Sequence, residues 1–324
     1  MIIKMQKKSI DFFGMEEIML LGIDHGNYAV KTPEFDFVSG LAEHTVRPPM
    51  TEEILEYQGK YWTLSGKRLS YMRDKTKDNR FFILTLFAIA KVMERRGKYT
   101  SMEKIQLAVG LPPEHYGLLR DRFGEYFKNR GMVEFKYAGK PYRIFINRVM
   151  VFPQAYAAVI PQSSLIVKTV RVFVIDIGGY TTDVLLLRNG KPDLQFCRSL
   201  ETGIITMNNE IVRKVGALHD MRIEEEHISA VLGGQEIVLP EDIKITIKEE
   251  AERHAKEILD QLRELQVDLR ANPAIFIGGG SMLLKSYLQQ SPLVIQADFI
   301  EDCHANAIGY EMLAQSQMNR KTKQ

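Results

Sequence analysis

Two short stretches hold the residues with the clearest chemistry. Asp24 stands in Gly22-Ile23-Asp24-His25-Gly26, and Asp176 stands in Val174-Ile175-Asp176-Ile177-Gly178-Gly179. Each aspartate ends an apolar run and is followed by a glycine turn and a second apolar run. Glycine lets backbone N–H groups approach an anion with no Cβ in the way. Thr181 and Thr182 add hydroxyl donors beside the second turn. A carboxylate next to a phosphate needs a cation between them, and magnesium suits one or two carboxylates plus phosphate oxygens. One Asp-x-Gly turn alone reads as an ordinary tight hairpin. Two, about half the chain apart, read as a single ligand site closed by two related lobes.

Other phosphate motifs fit less well. Ser65-Gly66-Lys67-Arg68 lacks the first glycine and the final hydroxyl of a Walker A loop. Gly278-Gly279-Gly280-Ser281-Met282-Leu283 follows an apolar run, but Leu283 stands where a dinucleotide fingerprint needs its third glycine. This run is expected instead to lay flat backbone against a base or ribose.

Periodicity predicts the elements that hold these residues. Residues 19–24 and 28–31 read as paired strands around a turn at 25–27. A hairpin is expected over 52–64, turning at Gln58-Gly59, and a helix that is apolar almost all round over 79–96. A strand over 104–109, a helix over 115–129 and a hairpin over 133–151 follow. Pro153 suits the first turn of a helix, read over 153–160. The second half begins near Val167 with strands at 170–176 and 182–187 and a helix at 207–215, and 223–239 reads as irregular. An amphipathic helix at 248–265, a strand at 274–277 and helices from Met282 and over 306–315 complete it. Strands and helices alternate in both halves, which predicts an α/β protein of two lobes.

Composition narrows the function classes. Hydrophobic residues make up 45% and charged residues 26%, as in ordinary globular chains. Net charge is +2, so no basic field calls for direct nucleic-acid binding or an anionic membrane. Cys197 and Cys303 lie far apart, with neither metal-like spacing nor a disulfide framework, so a reducing cytoplasm is expected. No His-x-x-x-His or Cys-x-x-Cys pair occurs, so a bound zinc is not expected. The apolar stretch 81–92 is shorter than the ~20 residues of a membrane span and reads as a buried helix. Residues 1–18 read as an N-terminal extension, or as sequence upstream of a true start at Met15 or Met19. Lys4, Lys7 and Lys8 ahead of Ile10, Phe12 and Phe13 also allow an amphipathic arm.

In these motifs the chain resembles the actin superfamily, which includes actin, heat-shock chaperone ATPases and sugar kinases. Asp24 to Lys31 is similar to the first phosphate loop, Asp176 to Asp183 to the second, and Ile277 to Gly280 to the adenosine motif. Pro153-Gln154-Ala155 and Ala305 to Tyr310 are similar to the two connecting helices. The Asp-x-Gly-x-x-x-x-Lys form of the first loop resembles prokaryotic actin-like proteins of the plasmid-segregating ParM type. Gln154 departs from ParM, which has an acidic residue after that proline, and matches actin.

The resemblance implies a two-lobed actin-like (ribonuclease H-like) fold with a nucleotide cleft between lobes. Lobe I would span 19–166, with the C-terminal helix region 299–324 returning to it, and lobe II 167–298. It implies ATP and Mg2+ as ligands and hydrolysis by in-line attack of water. Catalysis would fall to Gln154, orienting the water, and to Asp176, holding the magnesium shell or accepting a proton through water. Asp24 would face the same shell through water. Lys31 would neutralise phosphate charge, with Gly26, Asn27 and Tyr28 beside it. Gly178, Gly179, Tyr180 and Thr181 would contact the β and γ phosphates. Gly278, Gly279, Gly280 and Ser281 would lie under the adenosine. The partners implied are further copies of the chain in a filament and a DNA-binding adaptor. A non-polymerising ATPase, chaperone-like or a small-molecule kinase, is the alternative.

Overall fold

The computed structural model describes residues 18–49, 51–98, 102–162 and 169–321. All but the last residue of the expected extension 1–18, and the expected lobe boundary at 166/167, lie outside the described residues.

Two sheets form the frame. The first half contributes β1 (Met19–His25), β2 (Ala29–Lys31), β3 (Asp36–Val38), β4 (Leu41–His44), β5 (Ile54–Tyr57), β6 (Lys60–Leu64), β7 (Glu103–Leu111), β8 (Met132–Tyr137) and β9 (Lys140–Pro153). Their order is β3-β2-β1-β7-β9-β8-β5-β6-β4. The second half contributes β10 (Arg171–Ile177), β11 (Thr182–Arg188), β12 (Lys191–Leu200), β13 (Ala274–Ile277) and β14 (Ala297–Phe299), in the order β12-β11-β10-β13-β14.

The repeat seen as two Asp-x-Gly turns is a repeat of a whole five-stranded unit. In β3-β2-β1-β7-β9 the first two pairings are antiparallel and the last two parallel. In β12-β11-β10-β13-β14 the pairings run the same way. Asp24 pairs with Lys31 across β1–β2, and Asp176 pairs with Asp183 across β10–β11. The two hairpins are thus equivalent in register but differ in charge.

Local chemistry explains the hairpins. Gln58-Gly59, Ala138-Gly139 and Asn189-Gly190 all have positive φ at both residues, the backbone of turns whose twist matches that of the flanking strands.

Helix α1 (Arg80–Arg95) is buried on nearly all sides and forms the centre of the first core with Leu21, Ile23, Phe123 and Phe127. Helix α2 (Pro113–Lys128) follows β7. No helix among the described residues is long and apolar enough to cross a membrane. In the second half, α4 (Ile204–His219) and α6 (Glu241–Glu264) cover the sheet through Ile211, Val215, Ile247, Ala251 and Ile258.

Several elements depart from the sequence reading. The helix expected from Pro153 does not start there. β9 runs through Pro153, and only a short helix, α3 (Tyr156–Val159), follows. The stretch expected to be irregular contains α5 (Glu225–Leu232), which begins with a capping box between Glu224 and His227. After β13 the helix breaks at Leu284 into α7 (Gly279–Leu283) and α8 (Lys285–Gln290). The strand expected to stop at Val109 carries on to Leu111, because Gly110 and Leu111 pair with Phe152 and Pro153 of β9.

An α-helix follows the last strand of each repeated unit. α3 follows β9, and α9 (Ala305–Lys321) follows β14. Ala155, Ala158 and Val159 pack with Val172, Val174 and Leu185 of the second sheet. Ala307, Tyr310 and Ala314 of α9 pack with Ala108, Met150 and Phe152 of the first. A Cβ on Gly309 would collide with the Ala157 carbonyl, so the two helices cross in close contact.

Candidate functional site

Between the two sheets lies an open cleft with both hairpins in its walls. Asp24, Gly26, Asn27, Tyr28 and Lys31 line it from the first hairpin. Asp176, Gly178, Gly179, Tyr180 and Thr181 line it from the second, with Gln154 and Gly278 to Gly280 completing the walls. Ser281 is the expected site residue that does not line it. That side chain is fully buried, and its hydroxyl donates to the Ile277 carbonyl at 2.5 Å.

The hairpins turn their carbonyls into the protein. The carbonyls of Gly178, Gly179 and Tyr180 accept from the N–H groups of Ile204 (3.0 Å), Ile205 (2.8 Å) and Gly203 (3.0 Å) at the start of α4. In a trans peptide the next N–H points opposite to the carbonyl. The N–H groups of Gly179, Tyr180 and Thr181 therefore point away from α4, on the cleft side. The first hairpin uses other partners for the same end. Lys75 Nζ donates to the His25 carbonyl, and Ser39 Oγ donates to the Gly26 carbonyl at 2.6 Å. This turns the N–H groups of Gly26 and Asn27 the opposite way. Two sets of backbone donors face one space, which suits a chain of phosphates.

Gln154 is positioned by strain. Ala155 has φ 62 and ψ −52, and Tyr156 N–H donates to the Gln154 carbonyl at 2.6 Å. This is a γ-turn of the rare positive-φ kind. Such backbone persists only where the surroundings over-determine it. Here Ala155 is fully buried, and its N–H donates to Asn306 Oδ1 at 3.1 Å. Gln154 Nε2 donates to Asp24 Oδ1 at 2.8 Å. The amide orientation follows, because an ionised carboxylate only accepts. Asn306 Nδ2 in turn donates to Asp176 Oδ2 at 3.3 Å, so one side chain ties the γ-turn to the second aspartate.

Charge is crowded in the cleft. Asp24, Asp176 and Asp183 share it with Lys31 and Lys75. Burial, reinforced by Asp183 and Asp24, pushes the Asp176 carboxyl up to about 7. Burial also raises Asp183, to about 6. Burial lowers Lys75 to about 8, against the pull of Asp24 and Asp183. The neighbouring His25 is driven down to about 3 by burial and by Lys75. Its Nε2 must donate to Thr85 Oγ1 (2.8 Å), since that hydroxyl donates to the Phe81 carbonyl. The acids outnumber the bases, and two of them are held toward their neutral forms. A divalent cation among these oxygens would relieve that crowding, so the residues present fit magnesium.

The glycine run passes close against β10 and the start of α4. Gly278 has φ +87, and a Cβ there would stand 2.5 Å from Asp176 Oδ1. A Cβ on Gly280 would meet Ile177 and Ile204 side chains at 2.5 Å, whereas Gly279 faces open space.

Lys75 and Ser39 were missed by sequence reasoning, and Asp183 was read as the end of the second loop with no role of its own. Lys75 sits in a polar, lysine-rich stretch that reads as solvated, and Ser39 carries no local signal. Asp183 closes the second hairpin in the register where Lys31 closes the first, a signal present in the repeat itself.

Comparison with known proteins agrees with this geometry. The family model for the N-terminal domain of actin-like proteins matches residues 22–156. The model for the C-terminal domain of MreB-like archaeal actin homologues matches residues 174–290. No curated protein matches the sequence significantly. Among solved structures, the archaeal actin homologue Ta0583 in complex with ADP is similar at 19% identity and TM-score 0.70, over 92% of this chain and 100% of that one. A 15-stranded ParM filament from Clostridium botulinum is similar at 18% identity and TM-score 0.72, over 92% and 99%. ParM of Bacillus thuringiensis with AMPPNP is similar at 14% identity and TM-score 0.67, over 93% and 99%. With both actin-like domain models matched in order and the two-sheet fold shared along the chain, this protein belongs to the actin superfamily.

Proposed function

We propose that the protein binds magnesium ATP in the cleft, hydrolyses it, and assembles head to tail into filaments whose lifetime hydrolysis controls. The observation that carries this reading is the convergence of two glycine hairpins, their carbonyls tied back and their amides free, on Asp24, Asp176 and Gln154.

The backbone N–H groups of Gly26, Asn27, Gly179, Tyr180 and Thr181 bind the phosphates. Lys31 adds positive charge as a point donor. Asp24 and Asp176 hold the magnesium shell through water, and a bound magnesium supplies charge neutralisation on the phosphate oxygens. Gln154, held through Nε2 by Asp24, keeps its Oε1 for a water hydrogen and so aims the nucleophile. Asp176, with its raised proton affinity, accepts a proton through water. Gly278 to Gly280 carry the adenosine.

The nucleotide-bound relatives and the filament among the similar structures support this reading. So does the two-domain family match. A DNA-segregating role in the cytoplasm, with a DNA-binding adaptor, is the finer form of the proposal.

The test is light scattering of the purified protein on adding magnesium ATP, with phosphate release followed in the same cuvette. A rise above a threshold concentration, with phosphate release, supports the filament. Phosphate release with flat scattering at all concentrations supports the non-polymerising alternative. Asp176→Ala should abolish release while the circular dichroism stays unchanged, and release near the wild-type rate would overturn the site assignment.

A further inference from the structure

Among the described residues, one group of ligand-type side chains beside the cleft has no part in the proposed function. Asp36 lies on β3, while Cys303 and His304 lie between β14 and α9. Each offers a ligand atom, and these atoms all lie within 4.8 Å of one another. His304 Nε2 stands 3.8 Å from Asp36 Oδ1. That is too long for a hydrogen bond, so no shared proton joins them. Tetrahedral zinc ligation at about 2.0–2.3 Å sets donor atoms about 3.3–3.8 Å apart. This pair already has that spacing, and no pair needs more than about one ångström of closure.

The histidine is prepared for ligation. His304 Nδ1 lies 2.7 Å from the Thr32 carbonyl, which can only accept. Nδ1 therefore carries the hydrogen, and Nε2 can present a bare lone pair to the Asp36 side. A metal-binding histidine fixed by a carbonyl on its other nitrogen is the usual outer-shell arrangement. The loop is shaped as well, since Asp302 Oδ1 accepts from the His304 N–H at 2.8 Å.

We propose that Asp36, Cys303 and His304 form a three-ligand site for a transition-metal dication of the zinc class, with the fourth position open to water. A sulfur, nitrogen and oxygen donor set selects zinc or cobalt over magnesium. The site stands on its own residues, whatever occupies the cleft. It would strap the edge of the first sheet to the segment leaving the second, because Ile300 belongs to the core of the second sheet. The strap lies close to the cleft chemistry. Asp24, Lys31 and Asp36 form one row across β1, β2 and β3. Cys303 also lines the cleft, three residues before Asn306.

The test is titration of the nucleotide-free full-length protein with Co2+ and then Zn2+ in a non-thiol reductant. The expected result is one cobalt per chain, with a near-ultraviolet thiolate-to-cobalt band and visible bands of tetrahedral cobalt, bleached by zinc. Cys303→Ser should remove the thiolate band, and Asp36→Asn and His304→Gln should each weaken binding at least 10-fold. Cys303 and Asp36 are exposed, so unchanged circular dichroism and melting in the metal-free variants separate ligation from folding. Absence of the band, its survival in Cys303→Ser, or binding that none of the three variants alters would overturn the site.

Discussion

Gln154 Nε2 donates to Asp24 Oδ1 over 2.8 Å, joining the residue that follows β9 to the end of β1. Under the proposed mechanism Gln154 orients the water, and the first aspartate holds it for that role. Gln154→Ala should lower phosphate release about 100-fold while changing the nucleotide dissociation constant less than about 3-fold, since the loss falls on positioning. Single-turnover kinetics alongside nucleotide titration measure the two. An equal loss of both would assign Gln154 a structural role only.

Asp176 makes stability depend on pH in the direction opposite to that of a salt-bridged acid. Its folded pKa, about 7, lies above its ordinary 3.8. The stability it contributes is fully present below about pH 4 and is lost as pH rises through 7. Asp183, raised to about 6, acts with the same sign. Nucleotide-free protein should therefore gain melting temperature between pH 8 and pH 6. Asp176→Asn should flatten that slope and add about 1–3 kcal/mol at pH 8, a figure reduced for water in the cleft. Equal slopes in melts of the two proteins would refute the account.

Lys75 holds the His25 carbonyl and is lowered to about 8 by burial. Its charge is then lost just above neutral pH. Phosphate release should fall on the alkaline side of about pH 8, and Lys75→Met should cut the rate about 10-fold and remove that limb. A pH–rate profile of both proteins decides it. An unaltered alkaline limb in Lys75→Met would exclude Lys75 as its source.

Arg68 bridges the two halves above the cleft. Its guanidinium pairs with Glu225 of α5 through two hydrogen bonds, one of 2.7 Å, and lies 4.7 Å from the Tyr28 ring centre. Beside it Tyr71 packs on Tyr180, with centroids 4.9 Å apart. Arg68→Ala should speed nucleotide release several-fold. A double-mutant cycle with Glu225→Ala should give a coupling of about 1 kcal/mol. Stopped-flow release of a fluorescent nucleotide measures both, and additive effects would rule out a latch.

The sequence alone determined the parts that depend on local spacing. Asp24 with Gly26, Asp176 with Gly178 and Gly179, and the Gly278–Gly280 run were legible because a strand end and a glycine turn lie within a few residues of each other. The two-lobed α/β frame was legible because apolar period and turn residues repeat in both halves. The helix read from Pro153 was not correct, because the pairing of β9 with β7 extends the strand to Pro153 and Asn306 imposes the γ-turn at Ala155. Only the tertiary structure brought Lys75 under His25, Ser39 against Gly26, and Asp36 beside His304. These contacts join residues separated by long stretches of chain, and no local period records them. What decided them is burial: a carbonyl enclosed when the sheets close the cleft is costly without a partner, and for His25 and Gly26 the fold supplies one from a segment that passes nearby.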